Sequence, residues 1–265
     1  MKMRNIALLT MVGMSAFGLA VTLPYSTSFE NTESPAWPLA NGLASNANWS
    51  SMANWRMSTA QVFSGAQSLN AGATTTSLPA TVINPSSVPS ADGLGVLVAN
   101  SKMFMSSTFN TAPTGANAVY GIASRVTYGS FSSTLNRFGV QNNGNVVLQN
   151  NLAYTTLGTI SGFQNQWLDI SLVLDATNPR IGYTLTVKDA ANATLFNGSG
   201  NLRAANETNV KIDYMGLFYA NNGGSGSALT GNVYFDDFSI EAVPEPATLT
   251  VLGLGAAALL RRRKK

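Results

Sequence analysis

Apolar and polar residues alternate with a period of two along much of this chain. In residues 167–175, Leu168, Ile170, Leu172 and Leu174 fall on one side, while Trp167, Asp169, Ser171, Val173 and Asp175 fall on the other. That is the pattern of a strand with one buried face. Residues 181–189 repeat it after an Asn178-Pro179 turn, with Tyr183, Leu185 and Val187 set against Gly182, Thr184, Thr186 and Lys188. The two segments predict an antiparallel hairpin. Further strands are predicted over 118–128, 135–141, 145–149, 194–197, 210–219 and 232–241, most of them separated by turns such as Asn142-Asn143-Gly144. Helical periodicity is hard to find in the same region. Frequent turns without a fixed repeat predict an all-β, antiparallel sandwich over 21–242, and argue against a propeller or solenoid.

The two ends break this pattern. Lys2 and Arg4 precede an apolar stretch over 6–21, and Gly18-Leu19-Ala20 places small residues where a signal peptidase reads. Residues 1–20 are therefore expected to be a secretory signal helix, cleaved after Ala20 by signal peptidase. At the other end, Pro244-Glu245-Pro246 is followed by a 14-residue apolar run over 247–260 and by Arg261, Arg262, Arg263, Lys264 and Lys265. As a helix that run measures about 21 Å, against a hydrocarbon core of about 30 Å. It is short for a membrane span, but the terminal cations can reach headgroups on long stems and stay on the cytoplasmic side. The expected arrangement is a short hydrophobic helix that holds the chain transiently in the inner membrane with its body outside.

Those C-terminal residues resemble the PEP-CTERM sorting signal of exported proteins in certain Gram-negative bacteria. The match runs through Pro244, Glu245, Pro246, the apolar run and the cluster from Arg261, Arg262 and Arg263 onward. The resemblance implies that 243–265 is a sorting signal recognised by an exosortase-type membrane peptidase, which removes the anchor so that the body reaches the cell surface or the medium.

Charge supports separating the ends from the body. Of 15 Lys and Arg, two precede residue 23 and five close the chain, leaving eight cations against 12 carboxylates and a net charge of −4 between. The chain's high isoelectric point thus belongs to its ends, and no basic face for nucleic acid is expected. Cysteine is absent, so an exported body must rely on a packed core, with a metal as the only further staple.

A second resemblance covers the body. Ser28-Phe29-Glu30 near its start, the Asn-Trp pairs at 48–49 and 54–55, residues 62–70 (VFSGAQSLN) and the closing 231–241 (GNVYFDDFSIE) are similar to the jelly-roll sandwiches of carbohydrate-binding modules and of concanavalin-like and laminin-G-like domains. In those domains an early Glu and a late Asp on neighbouring terminal strands bind a structural calcium. The resemblance implies that Glu30 and Asp236, with Asp237 as the alternative, hold Ca²⁺, completed by backbone carbonyls near 64–67. Strict alternation puts Asp236 on one side with Tyr234, Phe238 and Ile240. The competing reading of Asp236 or Asp237 is a carboxylate that hydrogen-bonds backbone groups at a sheet edge.

Catalysis finds little support. Histidine and cysteine are both absent, which removes the commonest general base and the thiol nucleophile. Adjacent Asp236 and Asp237 point apart, whereas a glycosidase needs two carboxylates facing each other. Trp49, Trp55 and Trp167 are the candidates for stacking against sugar rings, with core packing as the alternative for each. The expectation is an exported, non-enzymatic surface or extracellular-matrix protein that associates with exopolysaccharide. A structural or assembly protein without sugar affinity is the first alternative, and a glycan-active enzyme the second.

Overall fold

The structure, a computed structural model, describes residues 23–33, 36–37, 49–50, 55–71, 80–83, 95–106, 118–129, 132–150, 153–221 and 233–243. The expected signal helix over 1–20 and the tail helix over 247–260, with Pro244, Glu245, Pro246, Arg261, Arg262 and Arg263, lie outside the described residues. Among the described residues every regular element is a strand, and no helix is long and apolar enough to cross a membrane.

Fifteen strands among the described residues form two antiparallel sheets. The eight-stranded sheet runs β13 (Thr194–Asn201), β12 (Gly182–Lys188), β11 (Trp167–Asp175), β6 (Val96–Met105), β15 (Val233–Val243), β4 (Ser68–Ala71) and β3 (Trp55–Ser58), with β1 (Tyr25–Thr27) also paired to β15. The seven-stranded sheet runs β10 (Ala153–Thr159), β9 (Asn145–Asn150), β8 (Ser132–Gln141), β7 (Ala118–Tyr128), β14 (Lys211–Asn221), β5 (Ala80–Ile83) and β2 (Trp49–Ser50). Strands distant in sequence lie side by side, as β6 does between β11 and β15, which is the crossing order of a jelly-roll sandwich.

The predicted hairpin is present: β11 pairs with β12 from Asp169↔Lys188 to Asp175↔Gly182 without a break. Its alternation is realised as written, with Leu168, Ile170, Leu172 and Leu174 fully buried. They meet Tyr120, Ile122, Phe138 and Val140 from the other sheet in one continuous core. The central strand β6 and the edge strand β10 were missing from the predicted set. In β6, Val96 and Val98 flank Leu97 and Ala99, so both faces read as apolar and the period of two is blurred.

Two aromatic groups fill the inner space. Trp55 packs edge-on to Tyr219 at 5.2 Å and lies 5.7 Å from Phe235, while Trp49 sits among Phe29, Trp37 and Phe238 at 5.2–5.8 Å. Both tryptophans expected to face sugar are therefore core residues, with Trp55 fully buried and Trp49 at 6 % exposure. The reason is alternation: Trp55 and Met57 face inward and Arg56 outward on β3.

Replacing Phe235 with Ala would remove a ring that bridges β15 to Trp55. The expected loss is roughly 3–5 kcal/mol, measured by denaturant unfolding of the Phe235→Ala variant. A loss below about 1 kcal/mol would show that this ring is not a core contact.

Candidate functional site

β15 departs from regular pairing at one place. Its register against β6 shifts between Asp236↔Lys102 and Ser239↔Asn100, so Asp237 and Phe238 together oppose Ser101. Asp237 adopts φ 44°, a left-handed conformation uncommon for a residue with a side chain. The bulge changes which residues share a face. Phe235, Phe238 and Ile240 all enter the core, whereas Asp236 stays on the outer side with Tyr234. Strict alternation had grouped Asp236 with Phe238 and Ile240, and the extra residue in the bulge is why that grouping fails.

Asp236 is fully buried and its partners are backbone amides. Its Oδ2 accepts the N–H groups of Phe63 at 2.9 Å and Ser64 at 3.1 Å, and its Oδ1 accepts the N–H of Asp237 at 2.9 Å. Asp237 Oδ1 accepts the Ser64 hydroxyl at 2.6 Å. Glu30 Oε1 accepts the N–H groups of Ala66 at 2.8 Å and Gln67 at 3.1 Å. Three carboxylates thus hold one loop, residues 59–67, between β3 and β4. Gln67 completes the clamp by donating to the carbonyls of Phe29 and Trp37. Gly65, at φ 71°, passes so close to Glu30 that a Cβ there would lie 2.3 Å from its Oε1, so only glycine fits.

The sequence brought the right residues to the right loop but with the opposite polarity. A calcium shell at 64–67 needs carbonyl oxygens turned toward the carboxylates, whereas here the loop presents N–H donors. Nor do Glu30, Asp236 and Asp237 converge on one another: among the described residues no group of three or more Asp, Glu, His or Cys is arranged to hold a metal ion. The donor set does not fit Ca²⁺. It is the arrangement of carboxylates that hydrogen-bond backbone groups beside a sheet.

The clamp positions an aromatic surface. Phe63, at 45 % exposure, projects from the held loop and lies edge-on to Trp167 at 5.6 Å. Trp167 continues to Phe104 at 5.6 Å, and Phe104 to Tyr234 at 6.2 Å. These last three side chains share the outer face because Trp167↔Phe104 and Tyr234↔Phe104 are cross-strand pairs. Lys102 Nζ sits 4.9 Å from the Phe63 ring centre and 2.9 Å from Asp169 Oδ2. Together with the turn after β12, these residues line a cleft of about 130 Å³ bounded by Phe63, Lys102, Trp167, Leu168, Asp169, Asp189, Ala190 and Asn192. That turn is internally fixed, since Asp189 Oδ1 accepts the N–H groups of Ala191 and Ala193. Trp167 is the one sugar-binding candidate that the fold places on an outer surface. Phe63 was missed because exposure in a loop has no periodic signal.

A second cluster lies on the outer side of the seven-stranded sheet. Arg137 Nη1 donates to Gln149 Oε1 at 2.6 Å, and Tyr154 stands opposite Gln149. Burial pushes the Tyr154 phenol upward against the opposing pull of Arg137, so it stays protonated at neutral pH. This group is a set of hydrogen-bond donors packed beside buried Val119, Ala123, Val147 and Phe218.

The fold and the C-terminal tail define the class: a jelly-roll β-sandwich carrying a sorting signal. Residues 242–264 match the PEP-CTERM protein-sorting motif. The body is similar in fold to a marine PL-14 alginate lyase from Aplysia kurodai, with TM-score 0.53 and 12 % identity over 84 % of this chain and 100 % of that one. A protein of unknown function from Shewanella oneidensis MR-1 is similar at TM-score 0.50 and 16 % identity, over 85 % of this chain and 90 % of that one. No curated protein matches the chain.

Desolvation raises Asp236 to about 6, more than its three backbone hydrogen bonds lower it. Between 3.8 and about 6 the folded chain holds this proton while the unfolded chain has lost it. Stability from this group is therefore greatest below that window and falls as pH rises through it, by an amount on the order of 2–3 kcal/mol. The Asp236→Asn variant is expected to lose that slope in denaturation curves taken at pH 4, 5, 6 and 7. An unchanged slope would place the titrating group elsewhere.

Proposed function

We propose that this protein is exported through an N-terminal signal peptide, sorted by an exosortase-type peptidase acting at its PEP-CTERM tail, and displayed as a non-enzymatic sandwich that binds uncharged polysaccharide through the Phe63–Trp167 cleft. The observation that carries the binding reading is an exposed aromatic pair held in place by a buried clamp. Flat rings stack on the C–H faces of sugars, and polar groups at the rim select hydroxyls. Here Asn192, Asp169 and Lys102 supply those rim groups. Lys102 is paired with Asp169, and Asp189, engaged with its own turn, leaves the charged side chains of the cleft with a formal sum of −1, which disfavours an acidic chain.

The course of β15 supports display. Tyr234, at the aromatic end, is nine residues from Val243, at the start of the sorting motif. At about 3.3 Å per residue these points are about 30 Å apart. The cleft therefore lies at the end of the sandwich remote from the point where the tail departs. A purely structural role remains the alternative, and sugar affinity separates the two readings.

Affinity electrophoresis and pull-down against the producer's own exopolysaccharide test the binding. The Trp167→Ala and Phe63→Ala variants are each expected to weaken retention roughly ten-fold, about 1.4 kcal/mol. Wild-type protein that ignores the polysaccharide would favour the structural reading. For sorting, mass spectrometry of the C-terminus in the native host should find a chain ending near Pro244 instead of at Lys265, and the intact tail when the exosortase is deleted.

A further inference from the structure

β13 is the terminal strand of the eight-stranded sheet and pairs only with β12 among the described residues. A strand in that position presents a row of backbone donors and acceptors to whatever can match them, and proteins usually blunt such edges with charge, proline, bulges or brevity. Among the described residues, the strands that end the two sheets elsewhere are blunted. β3 has four residues and an exposed Arg56, β2 has two residues, and β10 is broken by a register shift between Thr156 and Gly158. β13 has eight residues without a charge or a proline. Its own irregularity lies at the Leu195 end, so Phe196 to Asn201 runs in regular register.

The side chains along this edge are also arranged for close approach. Phe196 and Leu195 are only partly buried at the side of the core. Gly198 and Gly200 lie under the rings of Phe196 and Tyr183, where a Cβ would come within 2.5 Å and 2.8 Å of them. Asn197 and Ser199 point outward and are exposed.

From these features we infer that β13 pairs antiparallel with β13 of a second copy of this chain, joining two eight-stranded sheets into one continuous sheet about a two-fold axis near Gly198. A second copy is the occupant because the edge is self-complementary. Under that symmetry exposed Asn197 lies opposite exposed Ser199 of the other copy, two uncharged hydrogen-bonding side chains, and no like charges meet along the edge. The inference does not depend on sugar binding.

The test uses the full chain in a nonionic detergent that keeps the apolar tail in solution, sized by chromatography with light scattering at micromolar concentration. Wild type is expected at twice the mass of one chain. The N197K/S199K variant and the N197D/S199D variant, with melting temperatures checked against wild type, are each expected to run at the mass of one chain, and their equimolar mixture to recover the doubled mass. A monomeric wild type, a dimer that survives either variant, or a mixture that fails to recover it would each overturn the inference.

Discussion

The surface of this protein depends on a buried negative charge with no cation beside it. Asp236 stands opposite Lys102 in the sheet register, yet Lys102 turns to Asp169 and leaves Asp236 to three amide N–H groups. An isolated carboxylate in such a place is costly, and the loop 59–67 offsets that cost by giving up its own N–H donors to Asp236, while Asp237 and Glu30 take the rest of the loop. The exchange is mutual. The loop gains an anchor that its short, polar sequence could not supply, and the bulge at Asp237 gains a reason to persist. Phe63 inherits its position from this bargain, since its own backbone N–H is one of the groups held.

The rest of the sandwich is built by the opposite principle, near-complete exclusion of charge. The core joins both sheets through aliphatic and aromatic side chains, and the few charges of β6, β11 and β12 lie outside it: Lys102, Asp169 and Lys188 in one cross-strand row, and Asp175 at the end of β11. With no cysteine to cross-link it, the exported body relies on this packing and on backbone ladders. Asp236 is the fully buried charged side chain among the described residues, and it lies where two strands, a loop and a bulge meet.

How much of this was legible in the sequence follows from where the information resides. The hairpin of β11 and β12 was readable because one face of each strand is buried and the other wet, which writes a period of two into the residues themselves. β6 was not, since Val96 and Val98 on its outer face are as apolar as Leu97 and Ala99 on its inner one, so its residue types do not alternate although its burial does. The bulge was invisible for a different reason: it is a property of pairing, and no local pattern marks Asp237 as an extra residue. That single insertion reversed the facing of Phe238 and Ile240. Glu30 and Asp236 were correctly brought to one loop, because jelly-roll order places the first and last strands together. What the sequence did not reveal was the direction of the peptide groups in 63–67, which decides between an oxygen cage and a row of N–H donors. Trp49 and Trp55 went to the core because each shares a short strand or a crowded aromatic group with residues that have no other place to bury their bulk.

The directions of the strands constrain how display and self-association combine. Each step from β15 through β6, β11 and β12 to β13 is antiparallel, so β13 runs in the same direction as β15. Antiparallel pairing of β13 with a second copy then sets the two β15 strands head to tail, and the two C-termini leave from opposite ends of the joined sheet. Two chains still anchored by their tails in one membrane would both leave from the same side, which that geometry does not permit without reaching around the length of the sandwich. Pairing through β13 is thus compatible with chains released from the membrane and incompatible with neighbours that remain tethered in it. Under the proposed sorting, removal of the tail would do more than free the body: it would also free an uncharged edge to pair with its match.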